Sequence, residues 1–259
     1  MSGTGALGIP EPDLWAAAAV LAFAGTVHGT LGLGFPMTAT PLLALFLDLR
    51  TAILLTLLPT VAVNIASILR GGRWRRSLGR YWPLAAYTGA GSVLGTSLLV
   101  YTDPEPYRLW LAAIILLYLN LDRLRGHAPR WVSRRRRLAL AGFGLAAGLS
   151  VGTVNVMVPL LIILFLELDE PPRVMVQVFN LCFLAGKLAQ IGTFMGADVF
   201  GAAAARVSLP LVVAGLTGLA LGMALHDRIP TQTYRRLLRG VLWLVAGILL
   251  VQFLAWVRT

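Results

Sequence analysis

The chain has 259 residues, of which 58% are hydrophobic and only 13% charged, and it carries a formal net charge of +11. A soluble domain of this length carries about 25% charged residues, so the composition excludes a water-soluble fold and points to an all-α polytopic membrane protein. The single cysteine, Cys182, excludes a disulfide framework. The run Arg134-Arg135-Arg136-Arg137 lies between apolar stretches, where the positive-inside rule accounts for it without nucleic acid.

No Lys or Arg precedes Leu14, so the charged start of a signal peptide is missing. A full crossing takes about 20 apolar residues. The first span is expected over Leu14–Leu33 and runs into a glycine cluster, Gly29-Thr30-Leu31-Gly32-Leu33-Gly34, with Pro36 just beyond. Pro36–Leu47 is then too short to cross comfortably and reads as the second limb of a broken hairpin. Full spans follow at Ala52–Leu69, Trp82–Tyr101 and Tyr107–Leu121. After a basic stretch comes Leu138–Val151, which leads into a second interruption, Gly148-Leu149-Ser150-Val151-Gly152-Thr153-Val154-Asn155. Val156–Leu166 is the second short limb, and Val174–Met195, Val207–His226 and Leu237–Val257 complete the chain. The expectation is eight to ten transmembrane segments.

The two halves are similar to each other. Pro41 pairs with Pro159 at an offset of 159 − 41 = 118, while Pro83/Pro210, Gly91/Gly218, Gly95/Gly222 and Tyr107/Tyr234 share 210 − 83 = 127. This divides the chain into a first repeat at 1–121, a basic cytoplasmic linker at 122–137 and a second repeat at 138–259. The basic loops around Arg70–Arg80, Arg123–Arg137 and Arg228–Arg239 belong inside, and the Asp103 and Asp198 loops outside. Five segments per half then gives two inverted repeats, each opening with a broken or re-entrant helical hairpin, and both termini periplasmic. Gly91/Gly95 and Gly218/Gly222 are GxxxG pairs that suit close helix packing.

Paired interrupted hairpins are the sequence pointer to a transporter's binding site. Gly32, Gly34 and Gly152 mark the interruptions, and Thr30, Thr38, Thr153 and Asn155 are short donors beside them. Lys187 is the only lysine and falls within a span, on a stripe with Gln177, Asn180 and Gln190. At 100° per residue, Asn180 and Lys187 lie within about 20° of each other. Thr56, Thr60, Asn64 and Ser67 form a matching stripe, of which Asn64 is the binding candidate. An ionisable group inside a membrane is a functional hypothesis by default, so His28 and Lys187 are also candidates for proton coupling. Helix N-termini, amide donors and one cation favour an anionic ligand. No span contains a buried carboxylate of the kind a cation carrier needs.

Gly148-Leu149-Ser150-Val151-Gly152 matches the GxSxG string of serine hydrolases. That motif needs a preceding strand and a completing acid and histidine, which are missing. The three histidines are scattered, so no metal site and no cofactor is expected.

The glycine-rich break followed by Pro41-Leu42-Leu43 and by Pro159-Leu160-Leu161, the basic centre and the length together resemble the TauE/SafE-type sulfite exporter family of permeases. The resemblance spans essentially the whole chain. It implies secondary transport of sulfite, a sulfonate or a sulfoacetate-like anion across the bacterial inner membrane, with the binding centre around Gly29–Pro41 and Gly148–Pro159. Thr153 and Asn155 stand where the family tends to have glycines, and Asn180-Leu181-Cys182-Phe183-Leu184-Ala185-Gly186-Lys187 resembles a subgroup feature. The expected partners are a small anion and the bilayer, with a homo-oligomer left open. The alternatives from other classes are a membrane-embedded enzyme acting on a lipid-linked substrate, for which no catalytic constellation is found, and a non-transporting membrane scaffold.

Overall fold

The computed structural model describes residues 9–70, 74–121, 132, 135–226 and 231–258. Most of the expected linker at 122–137, and the basic positions Arg73 and Arg228, lie outside the described residues. Ten helices are described: α1 (Glu11–Leu31), α2 (Phe35–Leu43), α3 (Leu49–Arg70), α4 (Trp74–Tyr101), α5 (Pro106–Leu119), α6 (Arg136–Val154), α7 (Val158–Leu168), α8 (Pro172–Gly196), α9 (Ala202–Leu225) and α10 (Thr231–Val257).

Seven of them, α1, α3, α4, α6, α8, α9 and α10, are long and apolar enough to cross a membrane. Of the eight full spans expected, the one at Tyr107–Leu121 is a shorter apolar helix, and the other seven are candidates by length and composition among the described residues. Helix α5 has only 14 residues, or about 21 Å at 1.5 Å per residue, because Asn120 ends it early. Large apolar side chains such as Trp15, Leu69, Leu188, Leu209 and Leu244 are more than half exposed. That surface suits hydrocarbon and would be a liability in water.

Both interruptions are present. Helix α1 stops at Gly32, whose φ is 76°, and α2 starts after Gly34 at φ 106°. Helix α6 stops at Asn155, whose φ of 62° is the left-handed conformation that asparagine tolerates best after glycine. Each short limb, α2 and α7, then carries a proline in its first two positions. Proline is pre-organised there, and the N–H it lacks has no helical partner to lose.

Three helix boundaries flanking the breaks recur at one spacing. Leu31 and Val154 end α1 and α6, Phe35 and Val158 start α2 and α7, and Leu49 and Pro172 start α3 and α8, each pair separated by 158 − 35 = 123. This corrects the register expected from sequence. The partner of Pro159 is Pro36, at a helix start, whereas Pro41 lies inside α2.

Successive helices reverse direction. At one end of the bundle, His28 near the end of α1 meets Ser67 near the end of α3. There too Ser77 of α4 meets Gln177 of α8, Tyr81 of α4 meets Glu170 after α7, and Arg136 of α6 sits over the Tyr81 ring. His226, following α9, reaches Thr30, and Arg239 of α10 reaches Leu119 at the end of α5. This is the basic end. At the far end, Arg108 of α5 donates to Ala44 O, Leu47 O and Gln252 of α10. Arg50 of α3 donates there to Leu99 O, Val100 O and Thr102 O at the end of α4.

Two close helix pairs hold the bundle, and both are built on glycine. In the α1–α9 pair, a Cβ at Gly29 would lie 2.8 Å from Met223 N and one at Gly25 2.8 Å from Leu219 N. In the α4–α6 pair, a Cβ at Gly148 would lie 2.8 Å from Ser92 N and one at Gly152 2.5 Å from Thr96 N. The partners advance in the same sense along both chains, so each pair runs parallel. Backbone approach of this kind is how small residues stabilise helix pairs in lipid, where apolar burial gives no advantage. Gly142 on α6 has nothing within 4 Å of its Cβ position.

These contacts give a prediction. Gly148→Ala and Gly218→Ala should each lower the thermal unfolding temperature in detergent, since forcing a methyl into backbone costs about 1–3 kcal/mol. Gly142→Ala, in open space, should hold or raise it, because alanine is the better helix former by about 1 kcal/mol.

Candidate functional site

A helix that stops inside the bilayer leaves its last carbonyl groups without partners. Both breaks are closed by amide side chains from the same helix, α8. Asn180 Nδ2 donates to Gly32 O at 3.1 Å. Ten residues further along, roughly 15 Å at the helical rise, Gln190 Nε2 donates to Gly152 O at 3.1 Å and reaches Val151 O at 3.4 Å. The polar stripe read from the sequence thus faces the protein interior and spans both interruptions.

A cavity of about 560 Å³ opens at the first break. It lies between the end of α1, the end of α3, the start of α8 and the end of α9. Its charged or ionisable lining residues are Arg70, Arg173, His28 and His226, and its other polar ones are Thr30, Ser67, Gln177 and Asn180. No carboxylate lines it among the described residues. Arg173 has no hydrogen-bonded partner among the described residues.

His28 is held on both sides of its ring. Its Nδ1 accepts from Phe35 N–H at 3.3 Å, which caps the first turn of α2. The proton of the neutral ring is then on Nε2, which donates to Ser67 Oγ at 2.9 Å, and Ser67 passes its own proton to Val63 O. His28 therefore fixes the angle between the two limbs of the broken helix while one edge of it faces the cavity.

Lys187 and Gln190 make a second cluster at the second break. Both are fully buried, and Lys187 Nζ donates to Gln190 Oε1 at 2.6 Å. No carboxylate lies within 4 Å of that ammonium, and among the described residues none is buried in any helix. The geometry removes the snorkelling alternative, in which Lys187 would reach the headgroups.

The remaining candidates separate. His28, Thr30, Gly32 and Asn180 come together at the cavity. Lys187, Gln190 and Gly152 form the second cluster, with Asn155 next to it donating to Thr40 Oγ1 at 2.6 Å and Thr56 Oγ1 at 2.9 Å. Thr30 and Thr153 bond back to carbonyls of their own helices. Gly34 precedes the first residue of α2. Thr38, Thr60 and both amide atoms of Asn64 are buried without partners. Sequence reasoning missed the cavity's arginines, because Arg70 and Arg173 at helix ends read as orientation signals. It missed Thr40 as a partner of Asn155, which no spacing rule could have found across two distant segments.

A model of the family described as "Sulfite exporter TauE/SafE" matches residues 17–249. The chain belongs to the TauE/SafE sulfite exporter family. It is accordingly a multi-pass membrane transporter of sulfur anions and not an enzyme. Comparison with curated proteins and with solved structures found no match. The TauE/SafE match runs through both breaks, the cavity-lining residues and the Lys187 cluster.

The Lys187–Gln190 contact in this TauE/SafE protein gives a second prediction. Gln190→Leu leaves the buried Lys187 amino group and Gly152 O unpaired, and should cost about 2 kcal/mol of stability. Lys187→Met combined with Gln190→Leu removes the stranded polar group and should recover much of that loss. Thermal unfolding of the two single variants and the double variant measures the coupling.

Proposed function

We propose that the chain carries a small sulfur oxyanion or organosulfonate, of the sulfite, sulfonate or sulfoacetate type, across the inner membrane by alternating access. The observation that carries this reading is the cavity between α3 and α8, lined by two arginines and two histidines with no carboxylate among the described residues. Such a cavity concentrates anions and repels cations. The positive-inside rule assigns its open end to the cytoplasm, since Arg70, Arg80, Arg136, Arg173 and Arg239 gather there. The N-terminal end of α1 and the C-terminal end of α10 are then periplasmic.

Inverted repeats are the proposed architecture. Support comes from the recurring 123-residue spacing, from five helices per half, and from the opposite directions that an odd number imposes. The α1–α9 and α4–α6 glycine pairs exchange under the same correspondence.

Beyond the cavity, the anion site is assigned to the α3–α8 contact. Asn64 and Lys187 occupy equivalent positions there, at 187 − 64 = 123. Asn64 has an unpartnered amide and Lys187 a single partner, so an anion arriving between them meets donors that nothing else uses. Asn180 and Asn155, Gln190, Thr38, Thr153 and the break glycines complete the proposed binding set. His28 and Lys187 are the groups proposed to carry a coupled proton.

The test is flux in proteoliposomes. Labelled sulfite and sulfoacetate should cross, and Lys187→Met should slow the flux at least tenfold. Arg173→Gln should raise the half-saturating concentration about tenfold, the equivalent of about 1.4 kcal/mol. Absence of flux with every sulfur anion, or full activity in Lys187→Met, overturns the corresponding part.

A further inference from the structure

The geometry points to a second anion vestibule at the far end of the bundle, closed in this structure by a latch made from Arg50. This rests on the alternating-access reading and extends it to the surface that Arg50 bridges. The argument starts from the cavity that is open. Its residues have partners in the other half at the 123-residue spacing for α1, α3 and α8, and at the 127-residue spacing for α9. Arg173 corresponds to Arg50, Ser67 to Gln190, and Arg70 to Thr193. Thr30 corresponds to Thr153, Met223 to Thr96, and His226 to Leu99.

The counterparts are mixed: Arg50, Thr96, Thr153, Gln190 and Thr193 are polar, with one arginine and no acid, whereas His28, Gln177, Asn180 and His226 correspond to Val151, Leu54, Leu57 and Leu99. One contact recurs at the same pair of positions. His28 and Ser67 touch at the open cavity, and their counterparts Val151 and Gln190 touch through the Val151 carbonyl. The difference between the two ends is Arg50. Where Arg173 has no hydrogen-bond partner among the described residues and lines the cavity, Arg50 Nη2 donates to Leu99 O at 2.8 Å and to Val100 O and Thr102 O at 3.2 Å each. Those bonds tie the start of α3 to the end of α4 across the place where the second vestibule would open.

An independent observation marks the same place. Arg50 Nε, Thr96 Oγ1 and Asn155 Oδ1 are all buried without a hydrogen-bond partner. Thr96 and Asn155 are fully buried. Buried polar atoms are seldom left unpaired. Unpaired groups on the counterpart elements, at the start of α3, near the end of α4 and at the end of α6, are those that water or an anion reaches if the contact between them parts. In that state Arg50 leaves the three carbonyls and presents its guanidinium, which suits an oxyanion through paired N–H donors.

The experiment uses full-length protein in which Cys182→Ala removes the only thiol. Thr193→Cys and Thr96→Cys report the far vestibule, and Ser67→Cys reports the open cavity. Each is treated with a membrane-impermeant thiol reagent from one face of oriented vesicles, with no anion added. Arg50→Ala should raise far-face modification of Thr193→Cys and Thr96→Cys at least threefold and lower opposite-face modification of Ser67→Cys. Arg50→Lys, which keeps the charge and part of the bonding, should fall between. Sulfite in the bath should then protect Thr193→Cys when Arg50 is intact. If both faces become reactive together, Arg50 is a static cap for the end of α4, and the proposal fails. The same holds if the far face stays unreactive in a variant whose Ser67→Cys reactivity shows it folded. Loss of sulfite protection alone, with the exchange between faces intact, counts against the anion assigned above and leaves the latch standing.

Discussion

Everything in this protein depends on stopping a helix inside hydrocarbon and finding partners for the backbone groups thereby released. In a bilayer core no water answers a free carbonyl, so a break survives only where protein or a ligand meets it. Helix α8 does this twice, with Asn180 on the first break and Gln190 on the second. The side chains that allow the breaks are thus carried on the same stripe as Lys187. Backbone satisfaction and the burial of Lys187 are not separate features here. The helix that repairs both breaks also places the buried lysine beside the second of them.

That coupling explains why the breaks can differ in chemistry and still match in position. At the first break Gly32 takes the left-handed conformation and His28 caps the next limb. At the second, Asn155 takes that conformation and spends its side-chain amide on Thr40 and Thr56 of the other half. Asparagine costs more there than glycine, but its side chain ties the end of α6 to α2 and α3. The second break is therefore stitched across the repeat boundary, while the first borders open space. The asymmetry of the cavity follows from these residues, since the scaffold around each break recurs at one spacing.

How much of this was legible beforehand is a matter of which interactions are local. The interruptions were, because Gly and Pro act on their own backbone. The α8 stripe was, because its spacing is set by helical geometry alone. The register between the halves was not. Two prolines five residues apart, Pro36 and Pro41, compete for the match with Pro159, and the choice turns on which one begins a helix. The extent of α5 was legible to within two residues, Tyr107–Leu121 expected against Pro106–Leu119 found, with the polar Asn120 at its C-cap. Arg50, Arg108 and Arg173 were not singled out. Their roles depend on carbonyls 49 to 64 residues away, or on a cavity that four helices enclose.

The arginines sort by what they face. Arg108 is buried and donates to Ala44 O, Leu47 O, Gln252 and Glu105, so its whole fork is used in holding the far end of α2. Gln252 adds a bond to Leu45 O. This end of the first broken hairpin is anchored to α5 and α10 by a network with few free groups. Its opposite end, at the cavity, is held by separate single contacts from three helices or their ends: Ser67 on His28, Asn180 on Gly32 O and His226 on Thr30 O. At the far end one buried guanidinium binds several carbonyls at once, whereas at the cavity end each bond stands alone beside open space, so each can be exchanged without undoing the others.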